Sequence, residues 1–223
     1  MGINTQNHEI IKEVNQKLSE KENFRTPEVR KISKDIYRKI GDKSIDNILF
    51  LSEELLKQKK WESGIIGFNW SYRVKNHYKE NLFPTFERWL KDYVNGWGNC
   101  DDFCTHSFGE LIRQNKHLYK RTLDWTNHPD FWVRRGAAVV QILAIRKGDY
   151  EGLEPFTIAD KLMNDEHHLV LKGYGWLLKI LSQKEPERVF EYVHKNKKQM
   201  PRLALRYAIE KFDDEKRQEL LKL

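Results

Sequence analysis

Apolar residues along the chain recur at spacings of three and four, the period of a helix with one buried face. Ile10, Ile11, Val14 and Leu18 form such a stripe over 6–20. Val29, Ile32, Ile36 and Ile40 form the next, in 25-RTPEVRKISKDIYRKI-40. There Thr26 reads as an N-cap, Pro27 as the first helical residue, and Glu28 suits the positive end of the helix dipole. The same reasoning predicts helices over 44–59, 61–79, 84–95, 99–114, 129–147, 154–164, 167–182, 186–196, 201–212 and 213–222. Asn127, His128 and Pro129 mark one start, Gly148 marks one end, and Pro155, Pro186 and Pro201 fall near others. Strand-like alternation is scarce, so the chain reads as all-α.

Three segments resemble one another: 27-PEVRKISKDI-36, 129-PDFWVRRGAAVVQI-142 and 201-PRLALRYAIEKF-212. Each opens on proline and carries Arg and small or apolar residues in a helical stripe. HEAT-like repeats have this form. They stack helix pairs into an α-solenoid whose concave face is lined by one helix of each pair. No link is long or polar enough to separate two domains, so a single domain over 1–223 is expected.

Composition narrows the picture. The chain has 223 residues, a third of them charged, a mean hydropathy of −0.77 and a formal charge of +7. No stretch approaches a membrane span, and no basic segment followed by an apolar one opens the chain, so no membrane association or secretory signal is expected. The two cysteines, Cys100 and Cys104, lie one helical turn apart and make no disulfide framework. A reduced, cytoplasmic setting follows. The positive charge fits a solubilising surface and a polyanion footprint equally.

The densest chemistry is in 95-NGWGNCDDFC-104. In a helix beginning near Gly96, Trp97 and Asp101 are i and i+4 and share a face. Asp102 is rotated away and is placed to cap or to neutralise an arginine. An indole beside a carboxylate suits a flat cation, which both groups attract. Most tryptophans near an aspartate are core residues, so W-x-x-x-D alone does not decide between site and core. In 129-PDFWVRRGAAVVQI-142, Arg134 and Arg135 stand in an otherwise apolar helix. They suit either an anion such as phosphate or an internal ion pair, with Asp101 or Asp102 as possible partners. Gly173 and Gly175 beside Trp176 allow close backbone approach, whether for function or for helix packing. Lys195, Lys197 and Lys198 precede Arg202 and Arg206 and read as a basic edge or a solvated face. Cys100, Cys104 and His106 lack the spacing of a structural zinc site. His167 and His168 have no evident partner. No phosphate-binding glycine loop and no serine nucleophile motif occurs.

Taken together and in this order, 26-TPEVRKI-32, Trp97 with Asp101, 132-WVRRGA-137, 175-GW-176 and 201-PRLALRYAIEKF-212 resemble the AlkD-type DNA alkylation repair proteins, the HEAT-like-repeat DNA glycosylases. The resemblance implies a right-handed α-solenoid with a basic concave face. It implies excision of cationic N3- and N7-alkylpurines from duplex DNA, without metal or organic cofactor. By position it makes Asp101 the catalytic carboxylate, and it sets Trp97 and Trp176 beside the sugar and backbone at the lesion. Arg135, with Arg134, would touch DNA there, and Arg202 and Arg206 belong to the last repeats. Double-stranded DNA carrying alkylated bases is the implied partner, and a monomer suffices for a solenoid that wraps it. Gly96 and Gly98 depart from the family, which often has Trp and Asp at these places. The alternative function is a non-catalytic HEAT-like module that binds DNA or a protein.

Overall fold

In the computed structural model, which describes residues 2–222, every regular element is helical. The helices are α1 (Gly2–Ser19), α2 (Thr26–Tyr37), α3 (Ile45–Leu56), α4 (Trp61–Arg73), α5 (Phe83–Asp92), α6 (Trp97–Thr105), α7 (Ser107–Gln114) and α8 (Tyr119–Thr122). They continue with α9 (Phe131–Val139), α10 (Ile142–Lys147), α11 (Pro155–Leu162), α12 (His168–Leu181), α13 (Pro186–Asn196), α14 (Arg202–Ala208) and α15 (Asp214–Leu221). None is long and apolar enough to cross a membrane among the described residues.

Local chemistry sets the helix starts. Proline stands in the first two positions of α2, α5, α11 and α13, where its missing N–H costs nothing. Thr26 is already helical rather than the cap, and Glu28 reaches back to accept the Arg25 N–H at 2.8 Å. Asp130 caps α9 by accepting from Trp132 N at 2.7 Å, which moves the start from the expected 129 to Phe131. Asp213 caps α15 in the same way through Lys216 N at 2.8 Å. Gly148 ends α10 in the left-handed region with φ 70°.

The structure divides three of the expected helices. The segment 61–79 stops at Arg73 and continues as short 3-10 turns. The segment 129–147 turns at Val140 and Gln141. The segment 99–114 breaks at His106, whose φ and ψ are −126° and −92°. Residues 116–127, where no helix is expected, form short 3-10 and α turns.

The chain falls into two compact units, Met1–Ser107 and Phe108–Leu223. In the first, α2, α4 and α6 form one row, and α3 packs along α4 and beside α1. Phe68, Phe86, Trp89 and Phe103 meet in its core, with the Phe68 and Phe103 rings stacked at 4.5 Å. In the second, α9, α12 and α14 form a row. Behind it α11 and α13 are joined by Phe156 against Tyr192 and by the Tyr192 hydroxyl on Asp160. Rows of alternate helices backed by a second layer are solenoid-like packing within each unit.

One polar knot ties α3 to α5. Glu53 accepts from Arg88 Nη2 at 2.9 Å, Trp89 Nε1 at 3.1 Å and the Tyr93 hydroxyl at 3.0 Å. The Arg88 bond, helped by the indole and the phenol, holds the Glu53 carboxyl down to about 2. A lowered carboxylate stabilises the fold above its ordinary range and loses that contribution as pH falls towards the folded value. Glu53→Gln is expected to cost about 1–2 kcal/mol at pH 7. The difference from wild type should shrink as pH falls below the ordinary glutamate range. Urea unfolding of both proteins at neutral and acid pH checks this; an undiminished difference in acid contradicts it.

Candidate active site

Helix α6 carries the densest chemistry, and its setting follows from the residues around it. Asn95 Nδ2 donates to the Lys59 carbonyl at 2.8 Å, pinning the loop before α6 to the turn before α4. Gly96 is extended, and α6 begins at Trp97. Cys100, Phe103 and Cys104 face inward and are fully buried. Trp97 and Asp101, one turn apart, border that buried face at the start of the helix. Trp97 is 64% exposed, which is unusual for an indole and places it outside the core. Asp101 is half-buried.

Both residues line a cleft of about 510 Å³ within the first unit. Thr26 and Arg30 of α2 form one wall, Trp61 and Ile65 of α4 another, and α6 with His106 the third. Sequence reasoning missed Trp61. The signal was Gly98: a Cβ there would stand 3.2 Å from the Trp61 Nε1, so the glycine makes room for a second indole.

The adjacent aspartates are not equivalent, as their rotation on the helix predicts. The Asp102 side chain is only 9% exposed and accepts from Arg30 Nη2 at 2.6 Å. Burial pushes its carboxyl up from the ordinary value, against the pull of His106 and Arg30. A raised carboxyl favours the fold in acid, and that contribution fades as pH rises through its folded value.

The end of α6 has a definite cause. Thr105 Oγ1 donates to the Asp101 carbonyl at 2.7 Å. His106 Nδ1 lies 2.8 Å from the Asp102 carbonyl, which its own backbone N–H would reach in a continuing helix. That N–H turns instead to the Phe103 carbonyl at 3.4 Å. Side chains thus replace backbone donors, and the helix stops.

The remaining sequence candidates lie in the second unit. Arg134 forms the internal ion pair that was the alternative to phosphate, and its partner is Asp165. Its Nε and Nη2 donate to the two Asp165 oxygens at 2.6 and 3.2 Å. Its Nη1 donates to the carbonyls of His128 and Pro129 at 2.8 and 2.9 Å. Arg135 is 5% exposed and donates through Nη1 to the Leu169 carbonyl. Trp176 is partly exposed, with the exposed Arg146 guanidinium 5.4 Å from its ring centroid. Arg146 is a cation that the sequence reading did not single out. Arg202 and Arg206 are exposed on α14, and Arg202 donates to the Leu221 carbonyl at 3.1 Å. His167 stacks on Phe131 at 3.7 Å and accepts from Leu169 N as the cap of α12.

An all-helical chain with solenoid-like rows, and with an exposed indole and a carboxylate on one cleft, has the makings of an all-helical enzyme. The sequence model of the DNA alkylation repair enzyme family matches residues 4–212, nearly the whole length, and the chain belongs to that family. A solved structure described as a predicted DNA alkylation repair enzyme from Enterococcus faecalis has the same fold. It is similar with a TM-score of 0.65 and 16% identity, over 86% of this chain and 87% of that one. No curated protein matches the sequence significantly.

Proposed function

We propose that this protein is a DNA glycosylase that releases cationic N3- and N7-alkylpurines from duplex DNA. The observation that carries the reading is the exposed Trp97 one helical turn from Asp101 on a shared cleft. A polyanion binder gains nothing from a carboxylate on its binding face. An enzyme that must hold a developing cation does.

Breaking the glycosidic bond of an alkylpurine builds positive charge on the sugar while the base leaves neutral. A fixed carboxylate at Asp101 favours that state over the ground state, because the charge on the sugar is absent before the bond breaks. The same logic applies to carboxylates facing oxocarbenium-like states in glycoside hydrolysis. Trp97 offers its face to the sugar or to the cationic base. Trp176, with Arg146 beside it, and the exposed Arg202 and Arg206 contact the backbone. Arg135 and Arg134 were expected at the DNA. In the proposal they act from inside the second unit, where Arg134 braces α9 against the segment holding Asp165. The partner is duplex DNA, and a single chain suffices.

Family membership alone also allows repair by transfer of the alkyl group to a thiol. Both cysteines are fully buried, which denies them the access such a reaction needs. The reading is tested with duplex DNA methylated by a radiolabelled agent. The label is expected to leave as free methylpurine, with abasic sites remaining. Label found on the protein, or retained in DNA that the protein still binds, overturns it.

Trp97→Ala is expected to leave the melting temperature nearly unchanged, because the side chain is mostly exposed. It should slow excision roughly tenfold, the loss of about 1–1.5 kcal/mol of cation–π attraction. Single-turnover excision beside thermal melting checks both halves; an unchanged rate contradicts the role given to the indole.

A further inference from the structure

We infer that Arg30 grips a backbone phosphate of the DNA at this cleft, held ready for it by Asp102. The inference rests on the reading that the cleft faces duplex DNA, and it deepens that reading. A carboxylate at Asp101 favours positive charge on the sugar, but it repels the phosphates on either side of that sugar. A cleft built this way calls for a cation close by to hold the backbone. Among the described residues that line it, Arg30 alone carries a guanidinium or ammonium group.

Three observations give Arg30 this task. First, its head group sits at the cleft wall: Nη2 donates to Asp102 Oδ1 at 2.6 Å, and Asp102 lines the same cleft. Second, the two partners are unequally buried. The Asp102 side chain is 9% exposed and that of Arg30 is 43% exposed. The ion pair is therefore a dipole with its positive end towards solvent. Third, the guanidinium is only partly used. Its Nε and Nη1 make no hydrogen bond or ion pair among the described residues. A planar guanidinium held through one nitrogen keeps the others in a set direction, and paired N–H donors match the oxygens of a phosphate.

Arg134 shows what an arginine devoted to the fold looks like. Its side chain is 18% exposed, and Nε, Nη1 and Nη2 all donate to Asp165 or to backbone carbonyls. Arg30 has the opposite character: one nitrogen on its anchor and the rest of the group open. Asp102 acts through Arg30 and is a positioning residue.

The test measures affinity of the whole chain for a duplex carrying a stable abasic analogue, across a salt series. Arg30→Gln alone would strand the buried Asp102 carboxyl, so the variant is the double Arg30→Gln/Asp102→Asn. It puts an amide pair where the ion pair stood and leaves the net charge unchanged. Melting near wild type is expected. Binding should weaken about tenfold, and the slope of log affinity against log salt should shrink by about one, the loss of one phosphate contact. Arg30→Lys should keep the wild-type slope, because it keeps the charge. A wild-type slope in the folded double variant overturns the inference and makes Arg30 a tie between α2 and α6 only. So does an Arg30→Lys slope no steeper than that of the double variant. If the wild-type protein binds the duplex but excises nothing from methylated DNA, the glycosylase reading falls and the slopes still decide the role of Arg30. If it does not bind duplex DNA, both fall.

Discussion

Asp101→Asn is expected to lower alkylpurine excision by at least about a hundredfold while DNA binding stays intact or tightens. Removing one preorganised electrostatic group from a site of developing charge typically costs about 10²–10³ in rate. Asparagine keeps the shape of the side chain and removes only the charge. The loss therefore reports electrostatics rather than packing. Binding should hold or improve, because a negative group facing a phosphate backbone repels it at long range. The combination is diagnostic. A residue needed only for folding would take binding down with excision. A residue of a simple binding surface would change neither in this direction. Excision and a binding isotherm at fixed salt, measured on the same preparation, check it.

Gly175→Val is expected to destabilise the second unit by about 2–3 kcal/mol, the upper part of the range for overpacking a filled core. In α12, a Cβ on Gly175 would stand 2.8 Å from the Ala204 carbonyl oxygen and 2.8 Å from Tyr207 Cβ, both in α14. One of these is backbone, so it cannot swing aside as a flexible side chain can. The two helices approach this closely because Ala204 and Ala208 also present little bulk and are fully buried. Exchanging glycine for a better helix former returns only a fraction of a kcal/mol. Gly96 is the matched control: its Cβ would meet nothing within 4 Å, so Gly96→Ala should be near neutral. Urea unfolding of both variants checks the pair. Equal stabilities would contradict the packing account.

Helix content was legible because periodicity and proline starts are local signals, and α2, α11 and α13 begin close to where they predict. The inequivalence of Asp101 and Asp102 was legible for the same reason: adjacent residues on a helix point apart. The break at His106 was not. It depends on Thr105 and His106 reaching back to two carbonyls, a competition that the apolar stripe through Phe103, Cys104, Phe108 and Leu111 hides. Nor was the partner of Arg134, since Asp165 lies 31 positions away and only the fold brings it near. Trp61 became visible as a cleft wall only once Gly98 was seen beneath it. In each case sequence reasoning reached what one helix decides alone and stopped where two helices decide together.

The most direct measurement is formation of abasic sites in a duplex carrying a single 7-methylguanine, with wild type and Asp101→Asn side by side in a metal chelator. The account predicts a free base and an abasic site from wild type, and neither from the variant at matched DNA occupancy. Equal excision by both proteins, or none by wild type while it binds the duplex, would contradict it.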